Sequence, residues 1–196
     1  MTKYVVIIVL LLFAAAYVLV IGPRLEISHR ERINGRMSLL RDRVKANPSD
    51  TNALCMMVQS LQSKDSWEKV AAVAYLGQVG CRAEPATDGL IQALNGADLY
   101  AAREAAKSLG EIGPGARRAI PALTNAVRRH ADADIGWFAA ESLGQIADPD
   151  DAAVALLLKQ AAASSDERMV YSANEGIEAL KARRQNNEEH TTNKLR

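Results

Sequence analysis

Residues 98–113 read Asp98-Leu-Tyr-Ala-Ala-Arg-Glu-Ala-Ala-Lys-Ser-Leu-Gly-Glu-Ile-Gly113, and the chain repeats this stretch. Its Leu109 recurs as Leu76, Leu143 and Ile177, in steps of 33, 34 and 34 residues along the chain. An aspartate lies eleven residues before each (Asp65, Asp98, Asp132, Asp166) and an alanine four before (Ala72, Ala105, Ala139, Ala173). Three residues after each comes Val79, Ile112, Ile146 or Leu180. Self-similarity at this period signals stacked supersecondary units that shelter one another's apolar faces, not one closed core.

A second motif keeps the same step: Met57-Val-Gln-Ser-Leu61, Leu90-Ile-Gln-Ala-Leu94, Leu123-Thr-Asn-Ala-Val127 and Leu157-Leu-Lys-Gln-Ala161. Each unit therefore reads as two antiparallel helices. First helices are expected at 66–79, 99–112, 135–146 and 167–184, and second helices at 51–62, 85–94, 117–129 and 150–163. The repeated aspartates stand where first helices begin. There a carboxylate accepts orphan backbone N–H groups and faces the positive end of the helix dipole. Asp50 or Thr51 has that place for 51–62. Gly80 and Gly113 supply turns, and Pro121 falls early in its helix, where a missing N–H costs least. The alanines, with Gly77, Gly110 and Gly144, allow close helix approach.

The N-terminus is of different material. Tyr4 to Ile21 is an unbroken uncharged run of 18 residues, Tyr-Val-Val-Ile-Ile-Val-Leu-Leu-Leu-Phe-Ala-Ala-Ala-Tyr-Val-Leu-Val-Ile. As a helix it would rise about 27 Å, near the roughly 30 Å thickness of bilayer hydrocarbon. Lys3 and Gly22-Pro23-Arg24 flank it. A cleaved signal peptide ending at Ala14-Ala15-Ala16 is the rival reading, but five apolar residues beyond Ala16 favour a retained anchor that contacts the lipid bilayer through residues 4–21. Between Arg24 and Lys45 stand seven basic residues against three acidic ones. The positive-inside rule then favours a cytoplasmic over a periplasmic repeat domain. An Arg-rich stretch can equally be the solvated side of a helix. Residues 24–50 read as a charged helical neck with an apolar stripe of Leu25, Ile33, Met37, Leu40 and Val44, which Gly35 bends or breaks.

Net charge is +1 overall, but residues 46–196 hold 16 basic against 20 acidic residues. That balance argues against nucleic acid as a partner. Cys55 and Cys81 have no metal-ligand spacing; Cys55 is expected in the core and Cys81 as a free thiol in a loop.

The motif Asp, then Ala-Ala-x-x-Leu-Gly-x-Ile-Gly, then Ile-Pro-Ala-Leu resembles HEAT repeats, and among them the short bacterial kind called phycobilisome lyase-type. The best copy is Asp98 through Val127, with Arg103 where that family often carries arginine. Val70, Trp137 and Tyr171 replace it elsewhere, so no continuous Asp–Arg ladder is expected. The resemblance implies a scaffold for protein–protein contacts, or in the alternative a bilin lyase-like or other tetrapyrrole-handling enzyme. Similar arrays that bind a di-iron centre carry His-Glu pairs. None of His29, His130 and His190 is followed by glutamate. No phosphate loop, nucleophile elbow or zinc spacing appears, so no catalytic, cofactor or metal residue is assigned. The cluster Asp148, Asp150 and Asp151 reads first as helix capping.

The expected fold is all-α: a short right-handed α-solenoid of HEAT-like helix pairs, preceded by one transmembrane helix. Its segments are 1–23 anchor, 24–50 neck, 51–184 repeats and 185–196 disordered tail. The expected function is that of a membrane-tethered adaptor or accessory subunit that offers its second helices to a membrane-associated protein. Gln59, Gln92, Asn125 and Lys159 are the register-equivalent contact candidates. Arg117 and Arg118 join them, because they stand at the end of a helix that disfavours cations. Trp67 and Tyr100, also register-equivalent, form a candidate aromatic pair.

Overall fold

A computed structural model describes residues 22–129 and 134–194. These residues form nine α-helices and no strand. In chain order they are α1 Gly22–Ala46, α2 Thr51–Ser60, α3 Ser66–Val79, α4 Thr87–Leu94, α5 Leu99–Ile112, α6 Ile120–Arg129, α7 Asp134–Ile146, α8 Ala152–Ala161 and α9 Glu167–Lys194. Two 3₁₀ segments, Gly80–Ala86 and Gly113–Ala119, lead into α4 and α6. The expected anchor at 4–21, Asp132 and His130 lie outside the described residues. Among those described, no helix is long and apolar enough to cross a membrane.

The odd-numbered helices (the A row) stack on one another in sequence; of the even-numbered ones (the B row), α2 packs mainly on α1, and α4, α6 and α8 each pack mainly on the A helix that follows. Helix starts follow from the aspartates. Asp65 accepts from the Trp67 and Glu68 N–H groups, and Asp98 from those of Tyr100 and Ala101. Asp166 does the same for Arg168 and Met169. At α2 the cap is Asp50, which accepts from the Ala53 N–H. Helix ends follow from glycine: Gly80 and Gly113 close α3 and α5 at φ 70° and 74°, a backbone region that penalises any Cβ. The third link has Ala147 there, no residue in that region, and no 3₁₀ segment, only the turn through Asp148-Pro149-Asp150. The second helices consequently start later than expected, at Thr87, Ile120 and Ala152, because the chain first makes a 3₁₀ turn or an Asp-capped loop.

The A row is bound by small residues. The Ser108 hydroxyl donates to the Val73 carbonyl at 2.9 Å, and Ser142 to that of Ala106 at 2.8 Å. Gly77 faces Ser108, Gly110 faces Ser142, and Gly144 faces the Gly176 backbone. Ala72, Ala105, Ala139 and Ala173 are all fully buried, as are Leu76, Leu109 and Leu143. Burying one leucine is worth roughly 2 kcal/mol. B helices touch one another only sparsely.

Helix α1 is no free-standing neck. Ile33, Met37, Leu40 and Val44 are buried in the same core cluster as the repeats, and the helix runs unbroken through Gly35, beside which nothing lies within 4 Å. An apolar face of that size has to be covered, and α2 and α3 cover it. At the other end, α9 continues to Lys194 where disorder was expected from Gln185. The continuation holds one Gln and two Glu among three Asn, two Thr and a His, so propensity alone does not favour it as helix, and it is exposed on every described side chain beyond Arg184. Cys55, expected in the core, is exposed: it points away from the face made by Ala53 and Met57. Cys81 is an exposed free thiol within the first 3₁₀ segment.

Candidate interaction surface

Polar groups of the A row are largely consumed within the array. Each A helix sends one donor to the carboxylate at the start of the next. The His29 Nε2 lies 2.6 Å from Asp65, the Ser66 hydroxyl donates to Asp98, Arg103 lies 3.6 Å from Asp134, and the Trp137 Nε1–H donates to Asp166 at 2.9 Å. The chemistry of the donor changes at every step while the acceptor stays aspartate. His29 holds the Asp65 carboxyl below the usual range, helped by the two capping N–H groups; the Ser66 hydroxyl and two N–H groups do so for Asp98. Burial opposes ionisation of Glu68, but hydrogen bonds from Ser60 and Ser63 and its pair with Arg36 outweigh it and lower the carboxyl.

Cations cover aromatic rings along the same row: Arg30 over Trp67 at 4.6 Å, Arg103 over Tyr100 at 5.7 Å and Arg168 over Trp137 at 4.9 Å. Trp137 is thus part of a layer junction, and Phe138 packs against the core. The basic residues of α1 are similarly occupied, Arg41 with Asp42, Gln78 and Tyr75, and Arg43 with Asp50. At the opposite edge arginines cap helix C-termini. Arg82 donates to the Lys45 carbonyl at 2.9 Å, and Arg183 to those of Gln145 and Ala147 at 3.0 and 2.6 Å. Desolvation lowers the Arg183 guanidinium from its ordinary value.

The B row differs. Gln59, Gln92, Asn125 and Lys159 are all exposed. One internal bond touches the four, from the Gln62 amide to the Gln92 Oε1 at 3.2 Å. Gln59 borders an open groove of about 320 Å³ whose walls include Arg36, Leu40, Met56 and Glu68. Lys159 borders a smaller, more apolar one of about 180 Å³ with Pro149, Ala155, Ile177 and Leu180.

Arg117 and Arg118 lie within the second 3₁₀ segment, apart from the α6 N-terminus where they were placed by sequence. Both have acid partners in adjoining layers: Arg118 with Asp88 at 3.4 Å behind it, and Arg117 with Asp148 at 3.5 Å ahead. All four side chains are more than half exposed, so each pair is worth at most about 1 kcal/mol. The aspartate cluster is divided likewise, with Asp151 capping α8, Asp148 accepting from the Asp150 N–H, and Asp150 paired with Arg184 at 2.7 Å.

The layered helix pairs, with their glycine- and serine-lined A row, agree with the comparison to known protein families. Residues 87–178 match the family described as HEAT repeats. No curated protein matches the chain. The HEAT-repeat match runs from the start of α4 into α9. The layers α1/α2 and α3 precede it, yet they join the same core and extend the same aspartate ladder. The ladder was hard to read from sequence because its third acceptor, Asp134, stands two residues off the periodic register and its donors follow no pattern. Its donors, His, Ser, Arg and Trp, share no residue type, although each lies 29 to 36 residues before its aspartate.

Proposed function

We propose that this chain is a membrane-tethered HEAT-repeat adaptor that presents its B helices to a protein partner. The observation that carries this reading is the contrast between the rows. Many polar side chains of the A row are committed to neighbouring layers, whereas Gln59, Gln92, Asn125 and Lys159 recur in register on the B row, exposed and almost without internal partners. A line of amides and an ammonium at one-layer spacing suits an extended, polar, hydrogen-bonding partner better than a small ligand. HEAT repeats commonly scaffold protein–protein contacts, which supports the same direction. The short bacterial subtype rests on the Asp–Ala-Ala-x-x-Leu-Gly motif.

Tethering is supported by the uncharged run Tyr4 to Ile21, and the cytoplasmic side by the basic excess after it. Attachment to the bilayer raises the effective concentration of the B row near other membrane proteins. The test is photo-crosslinking in native membranes with a crosslinking residue placed at each of the four positions, and at Lys107 on the A row. One and the same protein captured from all four and not from Lys107 supports the reading. Equal capture from Lys107, or four unrelated sets, overturns it.

A further inference from the structure

The edge of the array at which the A helices begin carries a surface unlike the rest. Among the described residues nine large hydrophobic side chains are exposed, and six lie there: Trp67 (37%), Leu99 (64%), Tyr100 (70%) and Tyr171 (67%), with Leu25 and Ile27 on the first turns of α1. The other three, Leu39, Met56 and Leu156, lie midway along helices, and the opposite edge has none. Exposed cations share this edge: Lys64 in the loop before α3, and Arg128 and Arg129 in the last turn of α6. None of the three has an ion-pair partner among the described residues. The aspartates here are turned inward onto capping N–H groups and ladder donors. Outward, the edge presents aromatic rings, a leucine and these cations, with Glu167 the exposed carboxylate beside them at the start of α9; rings and cations are what proteins place at a bilayer interface.

The chain also enters at this edge. Helix α1 runs parallel to α3: His29 meets Asp65, Arg30 covers Trp67, and Arg82 reaches the carbonyls near the end of α1. From the level of His29 back to Gly22 is about 10 Å of helix, and the uncharged run ends immediately before Gly22. The four A helices beyond α1, about 9 Å apart, carry the edge some 36 Å sideways. A tilt near the 20° average of spanning helices lowers its far end by about 12 Å, enough to reach the headgroups.

We infer that the A-start edge, through Leu99, Tyr100, Trp67 and Tyr171 with Lys64, Arg128 and Arg129, docks on the anionic phospholipid surface of the membrane that holds the anchor. This rests on the tethered reading above and adds an orientation: the array leans on its membrane and turns the opposite, arginine-capped edge to the water. The B helices then stand roughly along the bilayer normal, in a row that runs along the membrane and is open to a partner in the same membrane.

The experiment uses the full chain reconstituted in vesicles of phosphatidylcholine and phosphatidylglycerol that carry spin-labelled lipid. A fluorophore is attached at Leu99→Cys in a Cys55→Ser, Cys81→Ser background, or at native Cys81 on the opposite edge in Cys55→Ser. The expected result is quenching at residue 99 at least threefold above that at Cys81. The difference should vanish when Tyr100→Glu and Tyr171→Glu are added. Equal quenching at both edges, in protein that still floats with the vesicles, overturns the docking and leaves the tether standing. Protein that does not float overturns the tether, and the docking with it.

Discussion

At Gly144 an added methyl group would fall on the backbone of Gly176, far inside the 3.0 Å below which real Cβ atoms essentially never approach. Backbone cannot swing aside as a flexible side chain does, so the two A helices must separate. Gly144→Ala is expected to cost about 3 kcal/mol or more. Gly35, in an exposed turn of α1 with nothing within 4 Å, offers the control. There alanine removes only the unfolded chain's extra freedom and should stabilise by about 0.5–1 kcal/mol. Denaturant unfolding of the two variants measures both signs. The ladder aspartates give a pH dependence. Asp65 and Asp98 have carboxyls lower in the folded protein than in the unfolded one, so their stabilisation is complete above the unfolded value near 3.9 and is lost as pH falls through the folded values. Wild-type stability should therefore drop as pH is lowered below about 4, and Asp98→Asn should flatten that drop, as read by thermal melts across the acid range. Replacing Asp98 by Ala removes a cap and should cost about 1 kcal/mol at neutral pH.

Helices were legible to different degrees, and the reasons are physical. Helices α3 and α5 have the bounds read from sequence because each is bracketed by its own signals, an aspartate that caps the start and a glycine that ends it at positive φ. Helices α4 and α6 begin late because the links before them spend seven residues in a 3₁₀ turn that no apolar periodicity announces. Helix α1 misled most. Residues 24–50 read as a charged helical neck with an apolar stripe; four of the stripe residues are buried, and Arg30, Arg36, Arg41 and Arg43 reach across to α3 or to Asp50 at the start of α2. The stripe was visible; that it belonged to the core was not, since α1 lacks the Leu-Gly signature. Met37, fully buried, decides the matter by experiment. Met37→Ala should destabilise by about 2–5 kcal/mol, whereas Ile27→Ala, an exposed position on the same helix, should stay within about 0.5 kcal/mol. Equal small effects would mean a detached neck. Of the proposed contact positions, exposure was legible: Gln59, Gln92, Asn125 and Lys159 are exposed as their polarity implied. The acid partners of Arg117 and Arg118 were not legible, because they lie 31 and 30 residues away on neighbouring layers.

At the scale of the whole molecule, stability is a sum over neighbouring layers. The inner A helices α5 and α7 are sheltered on both sides by other A helices, while α1 and α9 are sheltered on one. Opening should therefore cost most in the middle and least at the ends. The same organisation serves the proposed role, because a row of equivalent positions, one to a layer, keeps its spacing only while the layers stay stacked. Hydrogen exchange of the native full-length chain tests this most directly. Slowest exchange is predicted at Ala105–Ile112 of α5 and Ala139–Ile146 of α7, with protection falling outward through α3 and the first half of α9 to nearly none beyond Arg184. Uniform protection from α1 to α9, released in one concerted opening, would contradict a layered array.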